Sequence, residues 1–218
     1  MKLIISVFTI LLWFNFNFSQ EYVFINKFGK EISRSLFYKN LRNQTRWDSI
    51  GEDKIRYAKL GVNRYLNGKS NYEKIKTELE KITKSKIPNN QILFIDYNFK
   101  DDLYDSVAKN KWHRFKINSV KRNLKPYIKT LKEHNAFFFK LFESGMIIKT
   151  KKNSKKEFFF IDENNFFKEN IFINRSMYGS SAAIKPNGEI LIYNGEGSVT
   201  ILVKNLKKEK WDKFFPRN

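Results

Sequence analysis

Four carboxylates fall within ten residues in "DYNFKDDLYDS": Asp96, Asp101, Asp102 and Asp105. Oxygen ligands on a loop suit a hard cation such as Ca²⁺. An EF-hand loop counted from Asp96 requires glycine at position 101 and glutamate at position 107. The sequence has Asp101 and Val107 there, so it is not an EF-hand. Two readings are left: an irregular oxygen-ligand site, and the plainer one of a solvated acidic loop paired with neighbouring lysines.

The other chemically able residues are sparse. His113 and His134 are the two histidines, and neither has metal-ligand spacing to a partner. His134 sits where the dipole of a preceding helix favours a cation. Ser180 and Ser181 stand in "YGSSA", which lacks the G-x-S-x-G elbow that exposes a nucleophilic serine. "NGKS" at 67–70 matches the end of a phosphate-binding loop, which needs glycine four residues before the Gly-Lys pair. Asn63 holds that place and Gly61 is out of register, so a helix cap is the better reading. "KTKKNSKK" at 149–156 reads as a solvated basic loop, with a polyanion contact as the alternative. No cofactor motif is present, and without cysteine there is no thiolate for redox exchange.

The elements that would position these residues follow from periodicity. "SNYEKIKTELEKITKSK" at 70–86 predicts a helix, with Ser70 and Glu73 as a capping box and Tyr72, Ile75, Leu79 and Ile82 on one face. "QILFIDY" at 91–97 is apolar through Ile95, as a strand buried on both faces would be. Residues 98–117 read as a polar, aromatic loop. A second helix is expected from Ser119 to His134, with Pro126 inside it. "AFFFKLF" at 136–142 is strand-like, and a short helix is expected at 162–170. Ala183–Ile184 and Ile190–Ile192 flank "KPNG" as a β-hairpin. Val199, Leu202, Val203 and Leu206 predict a closing helix capped by Ser198. Towards the N-terminus, "FINKFGKEISRSLF" suggests a small hairpin or edge element, and residues 40–60 are poorly patterned around Trp47.

The chain opens with Lys2, an apolar core from Leu3 to Phe14 and a small, polar "NFNFSQ". That is the pattern of a secretory signal, with Ser19 as the −1 residue. Its core is short of the roughly 20 residues that span a bilayer. Cleavage after Ser19 would leave 199 residues in the periplasm or outside the cell, with no cysteine for lipid attachment and no later transmembrane segment. The net charge is +20, a field that attracts polyanions such as acidic polysaccharide, anionic lipid or nucleic acid. However, 33 of the 42 basic residues are Lys and only 9 are Arg. Arg is preferred for bidentate phosphate recognition, which argues against nucleic acid. The abundance of Lys, Asn, Ile, Phe and Tyr also matches AT-rich coding bias.

The predicted order is helix, buried strand, long loop, kinked helix, strand, variable segment, hairpin and terminal helix. Asn187-Gly188-Glu189 joins two strands, Gly195 and Gly197 precede the last helix, and Pro126 is followed by "YIKTLKEH". In these features residues 62–210 resemble the thioredoxin fold. "FGKEIS", "NYEKIKTELEKIT" and "AIKPNGEI" more loosely resemble uncharacterised secreted proteins of Bacteroidetes with a degenerate thioredoxin-like domain. The resemblance implies an α/β three-layer sandwich around a central mixed sheet, at 61–218, behind a signal at 1–19 and an extension at 20–60. Counting back from Pro126 puts the C-x-x-C positions at Asn118 and Lys121. The place of the family's cis-proline falls on Ser180. Both halves of the redox site are replaced, so the resemblance implies a non-catalytic binding protein whose partner is an unknown protein or a polyanionic ligand. The implied contact region is residues 98–118 with the segment before the hairpin: Tyr97, Asp101, Asp102, Tyr104, Trp112, Tyr178, Ser180 and Ser181. For the aromatics, ordinary packing under a long loop is an equal reading.

Overall fold

The computed structural model describes residues 22–103, 110–149 and 157–216. Near the N-terminus a small sheet has the order β1-β3-β2, built from β1 (Tyr22–Ile25), β2 (Gln44–Ile50) and β3 (Arg56–Asn63). Helix α1 (Arg34–Leu41) packs on it through the buried Phe37, which meets Ala58 and Leu60. "EISRSLF" therefore begins a helix, capped by Ser33; of the two expectations the hairpin shrinks to one bridge between Ile25 and Glu31, while Phe24 and Ile25 do lie in an edge strand, β1. The poorly patterned residues 40–60 form most of two strands. Strand β3 runs to Asn63 and so crosses the boundary placed at residues 60 and 61.

The main sheet has six strands in the order β4-β11-β10-β5-β7-β9. They are β4 (Tyr65–Lys69), β5 (Ile92–Asn98), β7 (Ala136–Glu143), β9 (Phe159–Asp162), β10 (Ser180–Ile184) and β11 (Glu189–Asn194). β5, β7 and β9 are parallel, while β10, β11 and β4 are joined in antiparallel pairs. β6 (Lys111–Trp112) and β8 (Ile147–Ile148) make a separate two-stranded ladder. The continuous apolar run of "ILFIDY" is explained by its place: β5 lies between β10 and β7, with helices over both faces.

Alternation along the strands sorts the core into two layers. Leu93, Ile95 and Tyr97 face α2 (Tyr72–Thr83) and α4 (Phe166–Asn170), meeting Ile75, Leu79 and Phe167. Phe94, Phe138, Ala183 and Leu191 face α3 (Arg114–Glu133), α5 (Ser198–Asn205) and α6 (Lys208–Trp211), meeting Leu124, Leu131, Leu202 and Trp211. The architecture is thus a mixed α/β fold with a central mixed sheet.

Several helix ends differ from expectation for local reasons. Asn71, not Ser70, caps α2, its Oδ1 accepting from Lys74 N–H at 3.0 Å. Ser70 instead donates to Gly188 O at 3.2 Å, tying the helix start to the hairpin turn. α3 begins at Arg114, five residues earlier than its apolar spacing suggested. Gly197, at φ 70°, precedes α5 without a side-chain cap, and Ser198 is buried. The hairpin turn itself matches the "KPNG" signal, Gly188 N–H donating to Lys185 O at 2.9 Å.

Gly188 has φ +82°, and a Cβ there would lie 2.7 Å from Ser70 O. Strain and clash act together, so Gly188→Ala is expected to cost about 1–3 kcal/mol. Gly68, where a Cβ meets nothing within 4 Å, serves as the control: Gly68→Ala should stay within about 0.5 kcal/mol. Urea unfolding of both variants measures the difference.

Candidate functional site

Register places three polar residues in a row across adjacent strands. Ser181 on β10 is opposite Asp96 on β5, and Asp96 is opposite Lys140 on β7. All three are buried on the face covered by α3 and α5. Lys140 Nζ donates to Asp96 Oδ2 at 2.5 Å. The Ser181 hydroxyl lies 3.2 Å from Asp96 Oδ1 and 2.8 Å from the Ser198 hydroxyl. With one proton to give, Ser181 donates to the carboxylate and accepts from Ser198. The Lys140 ammonium also stands 5.6 Å from the ring centroids of Trp112 and Phe142. A buried charge needs this degree of pairing. The serine nearest a carboxylate is therefore closed off from any substrate, and its neighbour is neutralised by lysine.

A second buried knot lies on the opposite face. Asp162 Oδ2 accepts from Tyr97 Oη at 3.2 Å and from the N–H groups of Phe167 and Lys168 at 3.0 and 3.1 Å. Asp162 Oδ1 is buried with no hydrogen-bond partner. Burial pushes the Asp162 carboxyl above its ordinary value, against the opposing pull of those donors. Burial, and then the charges of Asp162 and Glu143, raise the Tyr97 phenol. Glu143 accepts from Arg175 at 2.7 Å and Lys168 at 2.6 Å, and from Lys100 N–H at 2.9 Å. Arg175 also donates to Lys100 O at 2.7 Å and lies over the Trp47 ring. It thereby ties the loop after β5 to both sheets.

The expected contact residues divide into three groups. Tyr97, Trp112, Ser180 and Ser181 are buried and supply packing and internal hydrogen bonds. Ser180 donates to Asn194 Oδ1 at 2.8 Å. Trp112 packs on Phe142, with the Lys116 ammonium 4.0 Å from its ring centroid. Tyr104 lies outside the described residues, as do Asp105 and most of the basic run at 149–156. Asp101, Asp102 and Tyr178 are brought to one end of the sheet. Asp101 and Asn110 exchange two hydrogen bonds, at 2.7 and 2.6 Å. Asp102 Oδ2 accepts from Tyr178 N–H at 2.7 Å. Tyr178 has φ 69° and is 37% exposed. Gly179 follows at φ +81°, where a Cβ would lie 2.4 Å from Tyr97 O.

Asp96, Asp101 and Asp102, the described members of the acidic cluster, do not converge. Asp96 is committed to Lys140 and Ser181, on the far side of the sheet from Tyr97. Among the described residues no group of His, Asp or Glu could hold a metal ion, and no helix is long and apolar enough to cross a membrane. Sequence reasoning missed Lys140, Glu143, Asp162 and Arg175. The available signal was a charge inside an otherwise apolar strand, visible at Lys140 in "AFFFKLFE" and at Asp96 in "ILFIDYN". Comparison of the chain with protein-family models, curated proteins and solved structures finds no match.

Two outcomes test the two buried knots. Asp96→Ala or Lys140→Ala alone leaves an uncompensated buried charge and is expected to cost about 3–5 kcal/mol. The double variant should cost clearly less than the sum, which a double-mutant cycle in urea measures. For Asp162, the folded state favours the protonated carboxyl. Its contribution is complete below the ordinary carboxylate value near ~4 and is lost as pH rises through the raised folded value. Asp162→Asn stays neutral throughout, so its melting temperature should gain on that of the native chain as pH rises above the ordinary carboxylate range. A difference that does not vary with pH contradicts this account.

Proposed function

We propose that this chain is a secreted or periplasmic thioredoxin-like module that binds a partner and performs no thiol chemistry. The parallel β5–α3–β7 unit, the β10–β11 hairpin antiparallel to β5, and the glycine exit into α5 support the likeness. Pro126 supports it less. α3 starts twelve residues before it, so Asn118 and Lys121 lie inside the helix, away from its open N-terminus. Lys121 is engaged with Glu157 at 2.9 Å.

The observation that carries the binding reading is the Asp102–Tyr178 bond. It fastens the loop after the central strand to the residue that introduces β10. It also holds a half-exposed ring on left-handed backbone at the C-terminal end of β5, where α/β proteins gather ligands. Backbone strain of this kind persists where its surroundings enforce it. The net charge of +20 supports polyanion binding as a second reading, without indicating where.

Residues 20–218, immobilised and exposed to the native envelope fraction, should retain a partner in near-stoichiometric amount. Tyr178→Ala should weaken that capture by about tenfold or more, as loss of an aromatic anchor does. Equal capture by the native chain and a folded Tyr178→Ala variant would overturn the reading.

A further inference from the structure

Among the described residues, the first half of β7 has a strand on one side only. β5 pairs with it from Ala136 to Phe142, whereas β9 pairs only from Lys140 to Glu143. The first bond on the β9 side is Lys140 N–H to Phe158 O, at 2.7 Å. Successive residues of a strand direct their backbone groups to opposite edges. Phe138 and Ala136 therefore direct N–H and C=O to the same side as Lys140. Among the described residues no strand pairs with that side of Ala136–Phe138.

This length of edge opens into a cavity of about 750 Å³ between the end of α2 and the outer face of α3. Its apolar lining includes Phe137, Phe138, Phe158, Phe160, Ile87 and Ile128. Phe137 is 40% exposed. Three lysines and one glutamate stand around it. Lys86 is paired with Glu80, and Glu157 with Lys121. Lys125 and Lys132, seven residues apart on α3, are exposed and have no acidic partner among the described residues.

We propose that this groove takes an extended peptide segment of a partner protein, added as a strand beside Ala136–Phe138. Its apolar side chains would enter the phenylalanine-lined cavity, and its acidic side chains would meet Lys125 and Lys132. An unpaired edge is a template for such pairing, and strand addition obtains affinity from the main chain and specificity from pockets for alternate side chains. The volume falls in the range of recognition pockets. An acyl chain would fill the apolar space but leave the backbone groups of Phe138 without partners, which is costly where water is excluded. The inference rests on reading the chain as a binding module. It concerns the end of the sheet opposite Tyr178, so the two can fail separately.

A random peptide library displayed on phage, panned on residues 20–218, is expected to yield peptides that alternate apolar residues and carry flanking Asp or Glu. Fluorescence anisotropy of the selected peptides should show binding that K125E/K132E weakens by about tenfold or more, through like-charge repulsion. N-methylation of the peptide backbone should abolish it, and Tyr178→Ala should leave it unchanged. Selected peptides indifferent to both K125E/K132E and N-methylation overturn the proposal. So does a library that yields no binder, a groove that binds laurate in place of peptide, or a crystal structure with residues 150–156 of the same chain laid along that edge. Each of these results leaves the Tyr178 experiment able to stand.

Discussion

Asp96 and Lys140 meet inside the helical cover of the sheet, on adjacent parallel strands, with Ser181 and Ser198 completing the row. Much else is fixed by that meeting. A one-residue slip of either strand would turn one partner to the opposite face and leave the other charge buried alone. The register of β10 on β5 and of β5 on β7 is thus specified by electrostatics as well as by the phenylalanine layers. The row also reaches the first residue of α5, so the closing helix is seated by the same interaction. Replacing such a pair by well-packed apolar residues is often neutral or stabilising. Its role is better read as enforcing one alignment than as a net source of stability.

The second knot performs a comparable task between elements. Glu143 ends β7, Lys168 belongs to α4, Arg175 lies on the approach to β10, and Lys100 follows β5. The buried Glu143 carboxylate gathers the other three. Arg175 then covers Trp47 of the small sheet, and Trp47 meets Phe99 edge-on at 6.1 Å. Arg suits this position because its planar fork can donate to a carboxylate and a carbonyl while stacking on a ring. The small N-terminal sheet is thereby bound to the main one through side chains, besides the chain passing from Asn63 to Tyr65.

The parts of this fold legible in the sequence were those governed by a single local rule. The apolar run of "ILFI", the 3–4 spacing of Tyr72, Ile75 and Leu79, and the "KPNG" turn each satisfy one such rule, and the structure has the corresponding elements. The illegible parts depend on partners far along the chain. β2 and β3 carry Arg46, Asp48 and Arg56, within a stretch that shows no local pattern in the sequence. Asp48 is buried between the two arginines, and Arg46 and Arg56 lie over the Tyr22 ring. Ser198 looked like a helix cap because its position is right for one, yet its hydroxyl is taken by Ser181. Of the candidate site, Asp102 and Tyr178 were identified without the bond that joins them. For Tyr97 and Trp112 contact and packing were equal readings, and the structure buries both rings.

The two edges of the main sheet are treated differently, and the difference bears on how the molecule avoids or admits company. β4 is short, carries Lys69 and Gly68, and alternates exposed with half-buried residues. Its outer side is met by the C-terminal segment: Asn67 donates to Phe214 O at 2.9 Å, and Tyr65 lies 5.2 Å from the Phe214 ring. Short length, charge and a covering segment are the usual means of blunting an edge. The opposite edge has β9 over its second half, followed in the chain by α4, whose Phe167 reaches the core. Its first half keeps an exposed phenylalanine and an apolar recess beside backbone that no strand pairs with among the described residues. Lys125 and Lys132, which bring charge to this edge, stand at the rim of that recess. Those lysines repel another basic chain, including a second copy of this one. The same arrangement is the one that the proposed addition of an acidic strand requires.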